Sequence, residues 1–151
     1  MCIRDRDATA HVLESIGEGG SLAEPDDASD EELRALLACE PPAYVAVLGY
    51  IAPCVRVDRA VAELRSAIRA ATNATTTFGY GPRYLHSTGQ FHKGGPASGR
   101  FIELVDEPQG DLAVPGEPYS FAQLIRAQAD GDLQTLRAHD LEAVRAGKEN
   151  L

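Results

Sequence analysis

Nine consecutive residues, Ala43 to Ile51 (AYVAVLGYI), are apolar or glycine, with Pro41-Pro42 before them and Pro53 after. A strand with one wet face alternates polar and apolar residues. A short run that is apolar throughout reads as a strand buried on both faces, as in a parallel sheet covered by helices. A parallel partner requires a crossover, and one follows. Val57, Val61, Leu64 and Ile68 recur at helical spacing, with Asp58 near the start and Asn73 at the stop. Thr75 to Gly79 then reads as a second strand and Arg100 to Val105 as a third. Strand, helix, strand, loop, strand is the pattern of an α/β fold, with the loop leaving the carboxyl end of a strand, where open parallel sheets bind ligands.

The flanks are read in the same way. Ala8, Val12 and Ile16 predict a helix over Asp7 to Ser15, stopped at Gly17 to Gly20. Ser21 to Asp30 is an acidic linker. Ser29 and Glu32 have capping-box spacing ahead of a helix carrying Leu33, Leu36 and Leu37. Pro108, Pro115 and Pro118 mark a connecting loop, and Ser120 caps a helix presenting Phe121, Leu124 and Ile125. Gly131 is expected to stop that helix, and Leu133, Leu136, Leu141 and Val144 to form a last one. The opening MCIRDR has no apolar period, cap or targeting logic, and resembles translated adapter sequence. The division expected is therefore 1–6 as a non-native start, 7–41 as a helical lead-in and acidic linker, and 42–151 as the α/β segment, the whole being a piece of a longer protein.

Charge narrows the function classes. The chain carries −9, yet from Leu64 to Ile102 there is no acid and five cations, Arg65, Arg69, Arg83, Lys93 and Arg100, so the rest carries −14. An acidic remainder repels a nucleic-acid backbone and argues against that partner. No apolar run is long enough to span a membrane, and no secretory signal opens the chain. Cys2, Cys39 and Cys54 form no C-x-x-C, which is the usage of reduced thiols in a cytoplasmic protein.

The basic run centres on FGYGPRYLHSTGQFHKGGPASGRF, Phe78 to Phe101, in which six of 24 residues are glycine. Exposed N–H groups beside cations, hydroxyls and imidazoles suit a phosphate or sugar phosphate. His86 lies between Tyr84-Leu85 and Ser87-Thr88. A neutral imidazole there is placed to move a proton on a sugar oxygen, the alternative being a structural histidine that orders the loop. Ser87, Thr88 and Gln90 either bond sugar hydroxyls or cap a helix. Lys93-Gly94-Gly95 is either an anion nest or a plain turn, and Arg83 faces the pocket or pairs with an acid elsewhere. A His86–His92 metal pair has no cysteine or acid nearby to complete it. Glu103 and Asp106 reach His86 only through tertiary structure, and the spacing of a P-loop is absent.

Thr75 to Gly99, TTTFGYGPRYLHSTGQFHKGGPASG, closely resembles the C-terminal part of the phosphoglucose isomerase portion of bifunctional transaldolase/phosphoglucose isomerase proteins. DLAVPGEPYSF, Asp111 to Phe121, AQADGD, Ala127 to Asp132, and the run AYVAVLGYI extend the resemblance over about Asp7 to Arg137. It implies a sugar isomerase (SIS-like) fold, a three-layer αβα sandwich with a mainly parallel sheet. It also implies reversible conversion of glucose 6-phosphate to fructose 6-phosphate without a cofactor. His86 would open the sugar ring, and Arg83, Ser87, Thr88, Gln90, Lys93, Gly94 and Gly95 would hold the substrate. A transaldolase domain is expected on the same full-length chain, with a homo-oligomer as a further expectation. The family's glutamate base and its lysine have no counterpart in these residues, so the piece alone is expected to be inactive. The alternative is a non-catalytic sugar-phosphate-binding or oligomerisation module.

Overall fold

A computed structural model describes residues 3–18, 22, 27–106 and 110–147. β1 (Tyr44–Tyr50) is buried at every position, as its unbroken apolar run requires. It pairs in parallel with β2 (Thr75–Tyr80) on one side and β3 (Gly99–Val105) on the other. β4 (Glu142–Gly147) adds in parallel to β3, so the order is β2-β1-β3-β4. Register places Leu48 beside Glu103, and Glu103 beside Arg145, in one row across the sheet.

Because side chains alternate along each strand, the sheet has two cores. On one face Val45, Val47, Ile102 and Ala146 meet Val61 and Ile68 of α3 (Val55–Thr72) and Leu36 of α2 (Asp30–Leu36). On the other, Ala46, Leu48, Tyr50 and Phe101 meet Leu133 and Leu136 of α5 (Phe121–Ala138). That face also receives Tyr84 and Leu85 from a single 3-10 turn, Arg83–His86, which α4 (Thr88–Gly94) follows. Helices cover both faces, giving the three-layer αβα sandwich. Local chemistry sets the helix ends. Ser29 with Glu32, and Ser120 with Gln123, form complete capping boxes. Asn73 closes α3 in the left-handed region at φ 56.

Three sequence expectations are revised. The first helix, α1, runs Ile3–Gly17 and not Asp7 to Ser15, so residues 3–6 form its first turn, where Asp5 is buried. α1 lies along α5, and α2 packs on the sheet. Half of the Ser21–Asp30 linker, together with Pro108, Met1 and Cys2, falls outside the described residues. Gly131 does not stop α5, which continues through it to Ala138. A Cβ at Gly131 would meet Thr9 Oγ1 at 2.7 Å and Thr9 N at 2.9 Å, so the glycine is there to let α1 approach. Thr9 lies against Gly131 and Gly17 against Pro118, so the two helices run antiparallel. Finally, Leu141 and Val144 belong to no helix. The chain turns at Asp140, in the left-handed region at φ 56, and returns as β4.

Gly131→Ala would gain helix propensity of about 1 kcal/mol yet press a methyl group into the α1 backbone. We expect the clash to win, with a net loss of about 1–3 kcal/mol in urea unfolding. A more stable variant would mean that α1 does not sit against α5.

Candidate functional site

The candidate segment begins where β2 ends. Gly81 passes so close to β1 that a Cβ would meet the Tyr50 ring at 2.6 Å, and Pro82 then leads into the 3-10 turn. Three residues per turn put positions i and i+3 on one face. Arg83 and His86 accordingly share the outer face and are exposed, while Tyr84 and Leu85 turn inward, 5% and 2% exposed. Ser87 ends the turn. Its hydroxyl donates to Tyr84 O at 3.3 Å, and its own N–H reaches the same carbonyl at 3.0 Å. In α4 the same division continues: Gly89 and His92 are buried, and Thr88, Gln90 and Phe91 are exposed. Arg83, His86, Ser87, Thr88 and Gln90 thus stand together on the outside of one short segment at the carboxyl end of a parallel strand.

Lys93 does not join them. Its ammonium, 5% exposed, turns inward to form ion pairs with Asp5 of α1 and Asp132 of α5. The Gly95 N–H donates to Phe91 O at 2.8 Å as the cap of α4, and no anion nest forms over Lys93-Gly94-Gly95. Gly94 and Gly95 are exposed. The basic run disperses in the same way. Arg65 donates to Thr76 O at 2.9 Å and to its hydroxyl at 3.2 Å, and Arg100 pairs with Glu142 at 3.0 Å. Charge that looks like one pocket in the sequence is spent on several structural contacts.

Beneath the segment lies a polar network that the sequence reading missed. The Tyr84 hydroxyl donates to Asp132 Oδ2, while Lys93 takes Asp132 Oδ1. Burial raises the Asp132 carboxyl above its ordinary range, against the opposing pull of Lys93. Next to it Arg145 of β4 donates from Nε to Glu103 Oε2 at 2.7 Å and sets Nη1 2.7 Å from Asp130 Oδ1. Glu103 is fully buried, and desolvation raises its carboxyl despite Arg145. The signals that could have found these residues are a lone acid inside FIELV and a lone arginine inside AVRAG. Each is out of place in an apolar strand unless it has a partner. Held this way, Glu103 is a structural group and not the partner of His86.

His92 is 4% exposed among Tyr44, Phe91 and Phe101, and its Nδ1 shares a hydrogen bond of 2.9 Å with the Tyr44 hydroxyl. Desolvation, with help from Lys93, lowers its pKa from 6.5 to about 4. It is therefore a neutral core residue, separated in role from the exposed His86. Among the described residues no group of three or more His, Cys, Asp and Glu is arranged for a metal ion. Nor does any described helix have the length and apolarity to cross a membrane. Cys39 and Cys54 are free thiols. Asp106 lies elsewhere, in a cavity of about 200 Å³ at the carboxyl end of β3, lined also by Leu22, Asp111, Gln123 and Arg126.

No family model and no curated protein sequence matches the chain. Its structure is similar to the crystal structure of hypothetical protein TT0462 from Thermus thermophilus, with a TM-score of 0.60 and 14% identity. The match covers 93% of this chain and 38% of that one. At that identity the likeness is one of fold, and the chain spans well under half the length of that protein.

Two measurements test this account. In the folded state His92 binds its proton only near pH 4, whereas in the unfolded chain it does so near 6.5. Its contribution is complete above pH 6.5 and is lost as the pH falls towards 4. Relative to His92→Gln, the wild type should lose up to about 1.4 kcal/mol per pH unit in that window. Parallel stability curves would mean the ring is already solvated. Arg145→Met should cost about 3–5 kcal/mol by stranding Glu103, and adding Glu103→Leu should recover most of it. Failure of the double variant to recover would remove the pair from its proposed role.

Proposed function

We propose that the chain is part of a glucose-6-phosphate isomerase, and that Arg83, His86, Ser87, Thr88 and Gln90 form one wall of its sugar-phosphate site. The observation that carries this reading is the outward presentation of His86 beside two hydroxyl residues at the carboxyl end of β2, where parallel sheets receive ligands. The sequence resemblance over Thr75 to Gly99 supplies the substrate. In this reading the His86 imidazole accepts the proton of the sugar's anomeric hydroxyl and returns a proton to the ring oxygen, so that the C1–O5 bond opens without net charge. Arg83 and the hydroxyls orient the substrate. The subsequent transfer between C1 and C2 requires a carboxylate base, and the resemblance gives that base no counterpart among these residues. A transaldolase domain on the full-length chain, a cytoplasmic location and a homo-oligomer accompany the reading.

One observation favours the non-catalytic alternative, a sugar-phosphate-binding module. Glu103 is committed to Arg145, and Asp106 lies in the cavity by Arg126 and Asp111, so neither serves as the base. The two readings differ in turnover, not in ligand.

The test is a titration of the isotope-labelled chain with fructose 6-phosphate, followed by amide shifts. We expect shifts centred on residues 83–90, weakened about tenfold or more by Arg83→Ala, the scale of one lost charge-assisted bond. Shifts centred on the Asp106 cavity, or none at millimolar ligand, would reject the site. In the chain extended through its native upstream sequence, His86→Ala should lower turnover about 100- to 10,000-fold. An extended chain that binds but does not turn over would favour the module.

A further inference from the structure

Among the side chains beneath the segment that carries His86, Asp132 reaches both of its ends. Asp132 presents two carboxylate oxygens into the core between α5 and the sheet, and each is taken by a different end of that segment. Oδ2 accepts the hydroxyl of Tyr84, two residues before His86, and Oδ1 accepts the ammonium of Lys93, near the end of α4. All three side chains are buried: Asp132 is fully so, Tyr84 is 5% exposed, and the Lys93 side chain is 5% exposed. Between the two anchor points stand the exposed His86, Ser87, Thr88 and Gln90.

We propose that Asp132 is a positioning residue: one carboxylate pins both ends of the 84–93 segment and thereby sets where His86 and its neighbouring hydroxyls stand. The inference rests on the sugar-phosphate reading only for what the segment binds, and the pin itself rests on the contacts.

The geometry has specific consequences. Between Tyr84 and Lys93 the chain has little regular structure of its own, one 3-10 turn and the seven residues of α4. A helix that short is marginal without tertiary support. The internal bonds of the turn, Leu85 N–H to Pro82 O at 3.1 Å and Ser87 N–H to Tyr84 O at 3.0 Å, do not reach any other element. Apolar contact through Tyr84 and Leu85 holds the segment against the sheet, and His92 adds a hydrogen bond to Tyr44 of β1 near its far end. Asp5 of α1 adds a second acceptor for Lys93, so that end is anchored twice, whereas the Tyr84 end depends on Asp132. Gly89 fits the same plan: a Cβ there would meet Tyr84 O at 3.1 Å, so the start of α4 also closes down on the residue that Asp132 holds.

The test is amide hydrogen exchange on the intact chain, with Asp132→Asn, Tyr84→Phe and Lys93→Met. Tyr84→Phe, the mildest change, should speed exchange at Leu85 and Ser87 about tenfold or more while β1 and β3 amides change less than about twofold. Lys93→Met should act at Gly95 instead, and Asp132→Asn at both ends, because the amide keeps one acceptor oxygen for two donors and loses the charge that Lys93 pairs with. Uniform acceleration across β1, β3 and the segment would show a general stabilising role and overturn the pin. So would unchanged exchange at Leu85 and Ser87 in Tyr84→Phe, a variant that keeps the ring and its packing. Fructose 6-phosphate is then titrated into wild type and Tyr84→Phe, where weaker binding at residues 83–90 is expected alongside the faster exchange. Exchange does not depend on ligand. A wild type that binds no sugar phosphate but shows the local exchange pattern would fail the proposed function and leave the pin standing.

Discussion

Three consecutive residues of α5, Asp130, Gly131 and Asp132, organise one whole side of the sheet. Successive residues of a helix point about 100° apart, so three in a row address three different neighbours. Asp130 meets Arg145 of β4, Gly131 admits α1, and Asp132 takes Tyr84 and Lys93. An edge strand, a covering helix and the candidate site therefore depend on the same turn of one helix. Two of the three contacts are buried charges, which are tolerated in a core only when their partners are in place. Removing one partner is far more damaging than replacing the set with apolar groups, so the network selects this arrangement of elements over others with equally greasy cores.

The side of residues 83–94 that faces the core is heavily specified, and the side that faces solvent is left to chemistry. Tyr84, Leu85, Gly89, His92 and Lys93 point inward, each with a defined contact. Arg83, His86, Ser87, Thr88 and Gln90 point outward. Placing reactive groups on a short connection backed by a rigid layer is how α/β sheets combine precision with exposure. Close packing on that layer also accounts for most of the six glycines between Phe78 and Phe101. Several of them, Gly81 and Gly89 among them, mark close approaches to aromatic rings or backbone.

Where the sequence misled, the cause is identifiable residue by residue. Lys93 beside two glycines has the local look of an anion site, because the carboxylates that claim it lie 39 and 88 positions away. Gly131 has the local look of a helix stop, because nothing in its own helix reveals that Thr9 will lie on top of it. Leu133, Leu136, Leu141 and Val144 have helical spacing across what is really the end of a helix, a turn and a strand. Arg145, an arginine in the middle of that strand, masks its apolar character, and the acid that permits it there, Glu103, lies opposite on β3.

The sequence by itself determined the elements whose signals are local. A strand apolar at every position could only be central and parallel, its crossover helix announced itself by period, and Ser29, Asn73 and Ser120 marked helix ends through hydrogen bonds to residues within four positions. The structure added the 3-10 turn that brings Arg83 and His86 onto one face, in a stretch the sequence marked only as a loop. Only the tertiary structure decided which way Lys93 turned, that Glu142–Gly147 became a fourth strand, and which acids lay under the candidate site. Those outcomes rest on charges brought together across long stretches of chain, and their pairing in a desolvated core has no counterpart in the order of residues.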